Sequence, residues 1–564
     1  MVYVRVAVNV PAVSGEFDYH LPAELEGPVA VGHLVTVPFG NQTVQGVVLE
    51  FVPQPAVADT KPVLALVDET PVLTSPQIFL ARQLAESTLN PVAAIVSLMI
   101  PPGLAQQADT LYSVISDQLS GKEQNTTQKR LLALLKERGP LRGRQIDRHF
   151  GPLDWRKAAQ WLARGGVLAS KPVLPPPTVH PKSIRVAQLA VTPEVAEAAM
   201  PELGKTAATL ERRQKALRFL IHEPQAVAVS WVYAESGCSL ADLQELAERE
   251  LIVVYETEIF RDPLQKIGNR ELGIGKLGEA ELVLTPEQEA ALIEILRACQ
   301  PTFDLRPSTA FLLHGVTGSG KTEIYLRAVA ETLRRGKQAI ILVPEIALTP
   351  QTVRRFLARF PGQVGLIHSK LSDGERYDTW RRARAGQLKV IIGARSALFA
   401  PLPNIGLIVA DECHDHSYYQ SEPPFYHAIR AAQLYAQICG AVCVLGSATP
   451  PVELKYLALT PGPSPDFGRG ESAPTPFTPS PVSGGGGRGV RALSLPNRVV
   501  GAQTDGVFSL PPVSIVDMRE ELKTGNRGIF SRELAESLAE TLERGEQAIL
   551  FLNRRGTATY VFCR

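Results

Sequence analysis

No stretch of this 564-residue chain approaches the eighteen or more uninterrupted apolar residues that a bilayer span requires. The start, Met1-Val2-Tyr3-Val4-Arg5-Val6-Ala7-Val8, lacks the charged region and following apolar run of an export leader. No membrane partner is therefore expected, and the protein is read as soluble and cytoplasmic. Cysteine is scarce as well. The six residues at 238, 299, 413, 439, 443 and 563 show no paired spacing, which excludes a disulfide framework and suits a reducing compartment. Neither charge is in excess, with 58 Lys and Arg against 57 Asp and Glu, so nucleic-acid binding through overall charge is excluded and any basic surface must be local. The length itself predicts three or four domains.

Residues 1–105 alternate in short apolar segments (Val2 to Val10, Leu34 to Pro38, Val44 to Phe51, Pro62 to Leu66) broken by Pro and Gly, the pattern of a small β-rich domain. Ala93 to Ile100, ended by Pro101-Pro102-Gly103, reads as a buried helix or strand. Over 115–265 helical spacing takes over at Thr127 to Glu137, Leu141 to Phe150 and Trp155 to Arg164, followed by Gly165-Gly166-Val167-Leu168-Ala169. Three helices and a short hairpin suggest a winged helix, resuming at Ser239 to Glu256 after Pro175-Pro176-Pro177 and a long helical insertion. From 275 to 456 apolar strands alternate with helices, which implies a doubly wound parallel sheet. Residues 461–489, rich in Pro and Gly, read as a disordered insertion. Residues 495–564 then read as the start of a second α/β lobe that ends on an apolar strand, so the sequence is expected to be cut off. The fold class is multidomain α/β.

The chemistry concentrates in the third region. Gly315-Val316-Thr317-Gly318-Ser319-Gly320-Lys321-Thr322 sits between an apolar strand and a helical segment, the order a phosphate-binding loop needs. Its glycines allow close backbone approach to a β-phosphate, Lys321 reaches the β/γ oxygens and Thr322 ligates Mg²⁺. Asp411-Glu412 ends a second apolar strand: Asp411 suits Mg²⁺, and Glu412 suits orienting or deprotonating a water. Gly446, Ser447, Ala448 and Thr449 follow the next strand, where small hydroxyl residues could relay the nucleotide state. Gln288, in Thr285-Pro286-Glu287-Gln288, either reads an adenine edge or serves a helix cap.

In order along the chain, Thr285 to Gln288, Gly315 to Thr322, Pro344-Glu345-Ile346-Ala347-Leu348-Thr349, His368-Ser369, Gly393 to Ala397, Asp411 to Asp415 and Gly446 to Pro450 resemble the motif series of a superfamily 2 helicase. Phe551-Leu552-Asn553-Arg554-Arg555-Gly556 resembles the opening of a second motor lobe. Within that superfamily the chain is similar to the PriA (primosomal protein N′) family of replication-restart helicases. The resemblance implies an ATP-dependent 3′→5′ DNA helicase that recognises stalled forks and restarts replication by primosome assembly. Its implied cofactors are ATP and Mg²⁺, and its implied partners are forked and single-stranded DNA, single-strand-binding protein and primosome components.

By the same resemblance Phe17, Asp18, Tyr19, Gly40 and Lys61 receive a 3′ DNA end, although Phe-Asp-Tyr in a β-rich domain is otherwise an ordinary core edge. Gly446 to Thr449 act as the coupling motif, and Arg395, Tyr418 and Tyr426 contact DNA. Arg354, Arg355, Arg359, Arg381, Arg382 and Arg384 add phosphate contacts or form a solvated face. Cys563 matches the first zinc ligand, with its partners absent. The chain departs from the family at Cys413, where Glu is usual, and at Ala428-Ile429-Arg430, where Ala-Arg-Asp is common. Without the later motor motifs the chain is expected to bind ATP, hydrolyse it poorly and not unwind DNA. The alternatives are a non-enzymatic fork-binding scaffold and another superfamily 2 translocase.

Overall fold

The computed structural model describes residues 2–10, 13, 15–106, 108–116, 125–151, 154–223, 225–264, 283–300, 310–345, 350–459, 490–499 and 513–550. The chain divides after Val499 into two compact units. The insertion at 461–489, the Phe551 to Gly556 segment and Cys563 lie outside the described residues.

Alternating Val residues make the first sheet. Strands β1 (Val2–Val8), β2 (Phe17–Leu21), β3 (Leu34–Phe39), β4 (Gln42–Val52), β5 (Lys61–Pro62) and β6 (Ala65–Leu66) pair in the order β5-β2-β1-β4-β3-β6. Val4, Val6 and Val8 of β1 face Val35, Val37, Val44 and Tyr19 in one closed core. Helices α1 (Ser75–Thr88) and α2 (Val92–Met99) follow and pack on the sheet's other face, against Ala7, Leu34, Val47 and Leu49. Ile78, Leu80, Leu84 and Ile95 share one core with Leu398, Phe399 and Tyr435 of the third region, and the fully buried Gln77 amide donates to the Phe399 carbonyl at 2.9 Å. The domain edge anticipated at residue 105 is therefore not where the cores divide.

Residues 109–259 are not one winged-helix region with a helical insertion. β7 (Asp109–Val114), α3 (Thr126–Arg138), β8 (Leu141–Arg142), α4 (Gly143–Phe150), α5 (Trp155–Arg164) and β9 (Leu168–Val173) close a first unit with strand order β8-β7-β9. β10 (Lys182–Leu189), α6 (Pro193–Ala199), α7 (Ala207–His222), β11 (Val227–Ala228), α8 (Val229–Ser236), α9 (Leu240–Glu248) and β12 (Ile252–Ile259) close a second with the same order, β11-β10-β12. Each unit has its own core. The expected hairpin does not form, because β9 pairs backwards across three helices with β7 rather than with a neighbour in sequence. The copies differ in charge: residues 125–173 carry 11 Lys and Arg against 3 Asp and Glu, and residues 182–259 carry 8 against 12.

The third region is the parallel sheet that the alternation predicts. After α10 (Pro286–Ala298) come β13 (Ala310–Gly315), α11 (Lys321–Arg334), β14 (Gln338–Leu342), α12 (Pro350–Arg359), β15 (Val364–Ile367), α13 (Asp373–Arg384), β16 (Val390–Gly393), β17 (Ile405–Ala410), α14 (Ala428–Cys439), β18 (Val442–Ser447), α15 (Val452–Leu459) and β19 (Arg491–Leu495). The order is β15-β16-β14-β17-β18-β13-β19, and separate cores cover the two faces. Buried on both sides, β14 after Gln338 and β17 throughout are unbroken apolar runs. β19, of which the sequence reading placed only Leu495 in a second lobe, pairs in parallel with β13.

Helix α13 ties the neighbouring units together. Arg381 pairs with Glu258, Arg382 with Asp262 at 3.1 Å, Arg384 with Asp68 at 3.4 Å, and the fully buried Asp378 carboxylate accepts from Arg261 Nη1 at 3.1 Å. Arginines 381, 382 and 384 are thus struts between units, neither DNA contacts nor a solvated face. In the second unit the expected strand at Val513 to Val516 finds no ladder partner. The described elements there are α16 (Met518–Lys523) and α17 (Arg532–Glu543). Among the described residues no helix is long and apolar enough to cross a membrane.

Candidate active site

The loop Gly315–Thr322 leaves the carboxyl end of β13, the acidic pair leaves that of β17, and β18 lies between them. Ligands of open α/β sheets bind at this edge. Gly318 and Gly320 hold φ of +83° and +79°, a region side chains disfavour. A Cβ on Gly320 would also stand 2.3 Å from Gln288 Nε2. The Gln288 amide, 4% exposed, accepts from Thr285 N–H at 2.9 Å and donates to the Ser319 carbonyl at 2.8 Å. Both ends are engaged, so Gln288 caps α10 and braces the loop; as placed it is not open to an adenine edge. Lys321, 8% exposed, donates to the Gly315 carbonyl at 2.9 Å and lies 4.0 Å from Glu412 Oε1. Thr322 occupies the first turn of α11, half-buried.

Asp411 is held from two sides by tyrosines. The buried Tyr325 hydroxyl donates to Asp411 Oδ1 at 2.9 Å, and the Tyr418 hydroxyl donates to the Asp411 carbonyl at 2.7 Å. Burial, then the neighbouring Glu412 charge, pushes the Asp411 carboxyl above its ordinary range, against the opposing Tyr325 bond and Lys321 charge. Glu412 sits at φ +45°, a left-handed conformation rare for a non-glycine residue and concentrated at functional sites. His414 Nδ1 lies 2.8 Å from Ser447 Oγ and 3.6 Å from Glu412 Oε2. Ser447 Oγ already accepts from Thr449 N–H at 3.0 Å, so its proton is free for His414. Cys413, in place of a carboxylate, is buried, and its N–H donates to the Gly446 carbonyl at 2.9 Å.

The donor set suits Mg²⁺, which takes one or two protein oxygens plus phosphate and water rather than an all-protein cage. Thr322 and Asp411 are the residues that would hold it. The described residues contain no cluster of three or more His, Cys, Asp or Glu that could hold a metal ion. Tyr325→Phe removes the bond that orients Asp411, and loss of such an outer contact weakens metal affinity about tenfold or more. The expected result is a correspondingly higher Mg²⁺ requirement for binding a fluorescent nucleotide, with binding in EDTA unchanged.

Several proposed DNA contacts lie inside the protein. Tyr19 is 3% exposed, and its hydroxyl donates to the Pro38 carbonyl at 3.2 Å. Asp18 accepts from Arg5 Nε at 3.0 Å and from Ala56 N–H at 2.7 Å, and the Arg5 bond with that N–H holds its carboxyl below the usual range against the cost of burial. The Asp18 and Tyr19 positions are therefore the core-edge alternative. Phe17 packs edge-on against Phe39 at 5.0 Å, half-buried. Lys61 and Gly40 are exposed neighbours, with Lys61 Nζ 3.5 Å from the Gly40 carbonyl.

In the loop after the acidic pair Tyr418 is 1% exposed and Tyr426 3%, the latter against Phe399 at 5.4 Å, so neither presents a ring to a base. Tyr419 and Phe425, at 51% and 43% exposure, are the open rings. Arg395 Nη1 donates to the carbonyls of Ser417 at 3.2 Å and Tyr419 at 2.8 Å, bracing the loop's base.

The described geometry has clear relatives. A family model for a 3′ DNA-binding domain matches residues 5–101, and one for DEAD/DEAH box helicases matches 279–457. The replication restart protein PriA of Bacillus subtilis is 36% identical over 570 aligned positions, covering all of this chain. Over its whole length the chain is similar to the PriA family. PriA of Synechocystis is 33% identical, again over all of this chain. The chain spans 63% and 62% of those two PriA proteins. Among solved structures, RecG bound to a three-way DNA junction aligns at 24% identity over 31% of this chain and 22% of that one, with a TM-score of 0.25, too partial an overlap to bear on the site.

Motif reading missed Tyr325, which lies in α11 just beyond the loop. Only one signal was present: a large phenol at a helix position facing the sheet, four residues after Lys321, where Leu or Val would pack as well. Tyr419 and Phe425 are the immediate neighbours of Tyr418 and Tyr426, but adjacent residues face opposite sides, and spacing alone did not say which.

Proposed function

We propose that this chain carries the nucleotide-binding motor lobe and the DNA-reading amino-terminal region of an ATP-dependent 3′→5′ helicase acting at stalled forks in replication restart. The observation that carries the reading is the meeting of Lys321 and Glu412, 4.0 Å apart, beside an Asp411 locked by Tyr325. Loop amides and Lys321 bind the polyphosphate. Bound Mg²⁺ would neutralise β/γ-phosphate charge beside Thr322 and Asp411. Glu412 orients a water, and His414 through Ser447 links that carboxylate to the Gly446–Thr449 turn. Tyr419 and Phe425 supply stacking faces for single-stranded bases. The basic unit at 109–173 favours duplex phosphates, whereas its acidic copy does not.

Fork recognition through a 3′ end is tested by fluorescence anisotropy with forks whose leading-strand 3′ end is free or blocked by phosphate. The free end is expected to bind several-fold tighter, and Lys61→Ala to erase the difference at unchanged melting temperature. Tyr19→Ala instead is expected to cost about 3 kcal/mol of stability through the lost core ring. Equal affinity for both forks would leave the scaffold or general translocase readings in place. Primosome proteins and single-strand-binding protein as partners belong to the same proposal.

A further inference from the structure

Residues 496–499 run along the phosphate loop, pinned at both ends. The Leu495 carbonyl accepts from Val316 N–H at 3.3 Å, and Val499 N–H donates to the Gly318 carbonyl at 3.0 Å. Asn497 Nδ2 reaches Glu287 Oε1 at 3.4 Å, fixing the segment against the start of α10 as well. This pinning lays the stem of Arg498 on the loop: a Cβ at Gly318 would lie 3.8 Å from Arg498 Cγ and 3.9 Å from its Cδ. Arg498 is exposed, and among the described residues it has no ion pair or hydrogen bond. The neighbouring cations are engaged: Lys321 with Gly315, Lys455 Nζ with His314 Nδ1 at 2.8 Å, and Arg327 with Glu323 at 2.8 Å.

An arginine held at a phosphate loop with an uncommitted guanidinium has a ready chemical partner. The planar fork matches two phosphate oxygens at once, which a lysine point charge does not. We infer that Arg498 is a nucleotide-binding residue of this chain, donating to the polyphosphate of a bound nucleoside di- or triphosphate at the phosphate loop. The inference rests on the proposed nucleotide site and assigns it a residue outside its recognised motifs. Tertiary pairing of β19 with β13 is what delivers it.

The test measures dissociation constants of fluorescent ADP and ATP analogues, with inorganic pyrophosphate as competitor, for the full chain and for Arg498→Ala, Arg498→Lys and Lys321→Ala. Arg498→Ala is expected to weaken both analogues and pyrophosphate about tenfold, the size of one charge-assisted hydrogen bond, and to flatten the salt dependence. Arg498→Lys should recover part of the loss by restoring the charge without the fork. The melting temperature of the nucleotide-free protein should not move, because the side chain is exposed. Unchanged affinity in Arg498→Ala, or a loss for the analogues with none for pyrophosphate, overturns the inference. If the unaltered chain binds no nucleotide, the proposed nucleotide site itself fails. If it binds and Lys321→Ala does not, an unaffected Arg498→Ala sinks this inference alone.

Discussion

Lys321→Ala is expected to reduce nucleotide affinity about a hundredfold or more while leaving the chain folded. The ammonium is nine-tenths buried at the mouth of α11, and its bond to the Gly315 carbonyl at 2.9 Å closes the loop on itself. A nucleotide replaces that internal bond by bonds to charged phosphate oxygens, each worth about 1.5–3 kcal/mol, so removal of Lys321 deletes more than one such term. In the nucleotide-free protein the same change removes one neutral-acceptor bond and a 4.0 Å ion pair with a part-exposed Glu412, about 1 kcal/mol together. Isothermal titration with ATP and a melting curve separate the two effects. Retained affinity would refute the placement of phosphate at this loop, and loss of the folded transition would show that Lys321 acts structurally.

Gly446→Ala should be among the most damaging one-carbon changes in the third region. A Cβ at 446 would stand 1.7 Å from the Tyr325 hydroxyl oxygen, 2.9 Å from its Cζ and 3.1 Å from Asp411 Oδ1. Gly446 lies in β18 between two buried strands, so neither it nor the Tyr325 ring has room to retreat. Overpacking in a close-packed core costs about 1–3 kcal/mol, and an overlap this deep belongs at or above the upper end. The expected outcome is a loss of about 3 kcal/mol in denaturant unfolding together with a higher Mg²⁺ requirement for nucleotide binding, because relief requires the phenol to leave Asp411. Gly446→Ala combined with Tyr325→Phe should recover part of the stability, since the hydroxyl is the first atom met, but leave the Mg²⁺ requirement raised. Additive costs in the double variant would show that the two residues are not in contact.

The parallel sheet was legible because its strands, from β13 to β18, are short apolar runs separated by helical spacing. The phosphate loop was legible for a related reason: its chemistry is local, with glycines, lysine and threonine at fixed offsets on one turn. The aromatic residues behaved differently. Tyr19, Tyr418 and Tyr426 are stacking groups by residue type, yet each is buried with its hydroxyl bonded or its ring packed, while Tyr419 and Phe425 next to them are open. In a strand or hairpin, adjacent side chains face opposite ways, and only the rest of the fold decides which way is inside. The Arg381, Arg382 and Arg384 run posed the same ambiguity, resolved by acidic partners from segments far away in sequence.

By itself the sequence determined the parallel motor sheet, the phosphate loop at the end of one strand and the acidic pair at the end of another, because backbone periodicity and turn chemistry act over a few residues. Only the tertiary structure decided that Gln288 braces the loop, that Tyr325 locks Asp411, that α1 and α2 pack into the motor core, that residues 109–259 are two copies of one topology with opposite charge, and that Arg498 reaches the loop. Each of these depends on burial or strand pairing between residues remote along the chain, where no local pattern records the partner.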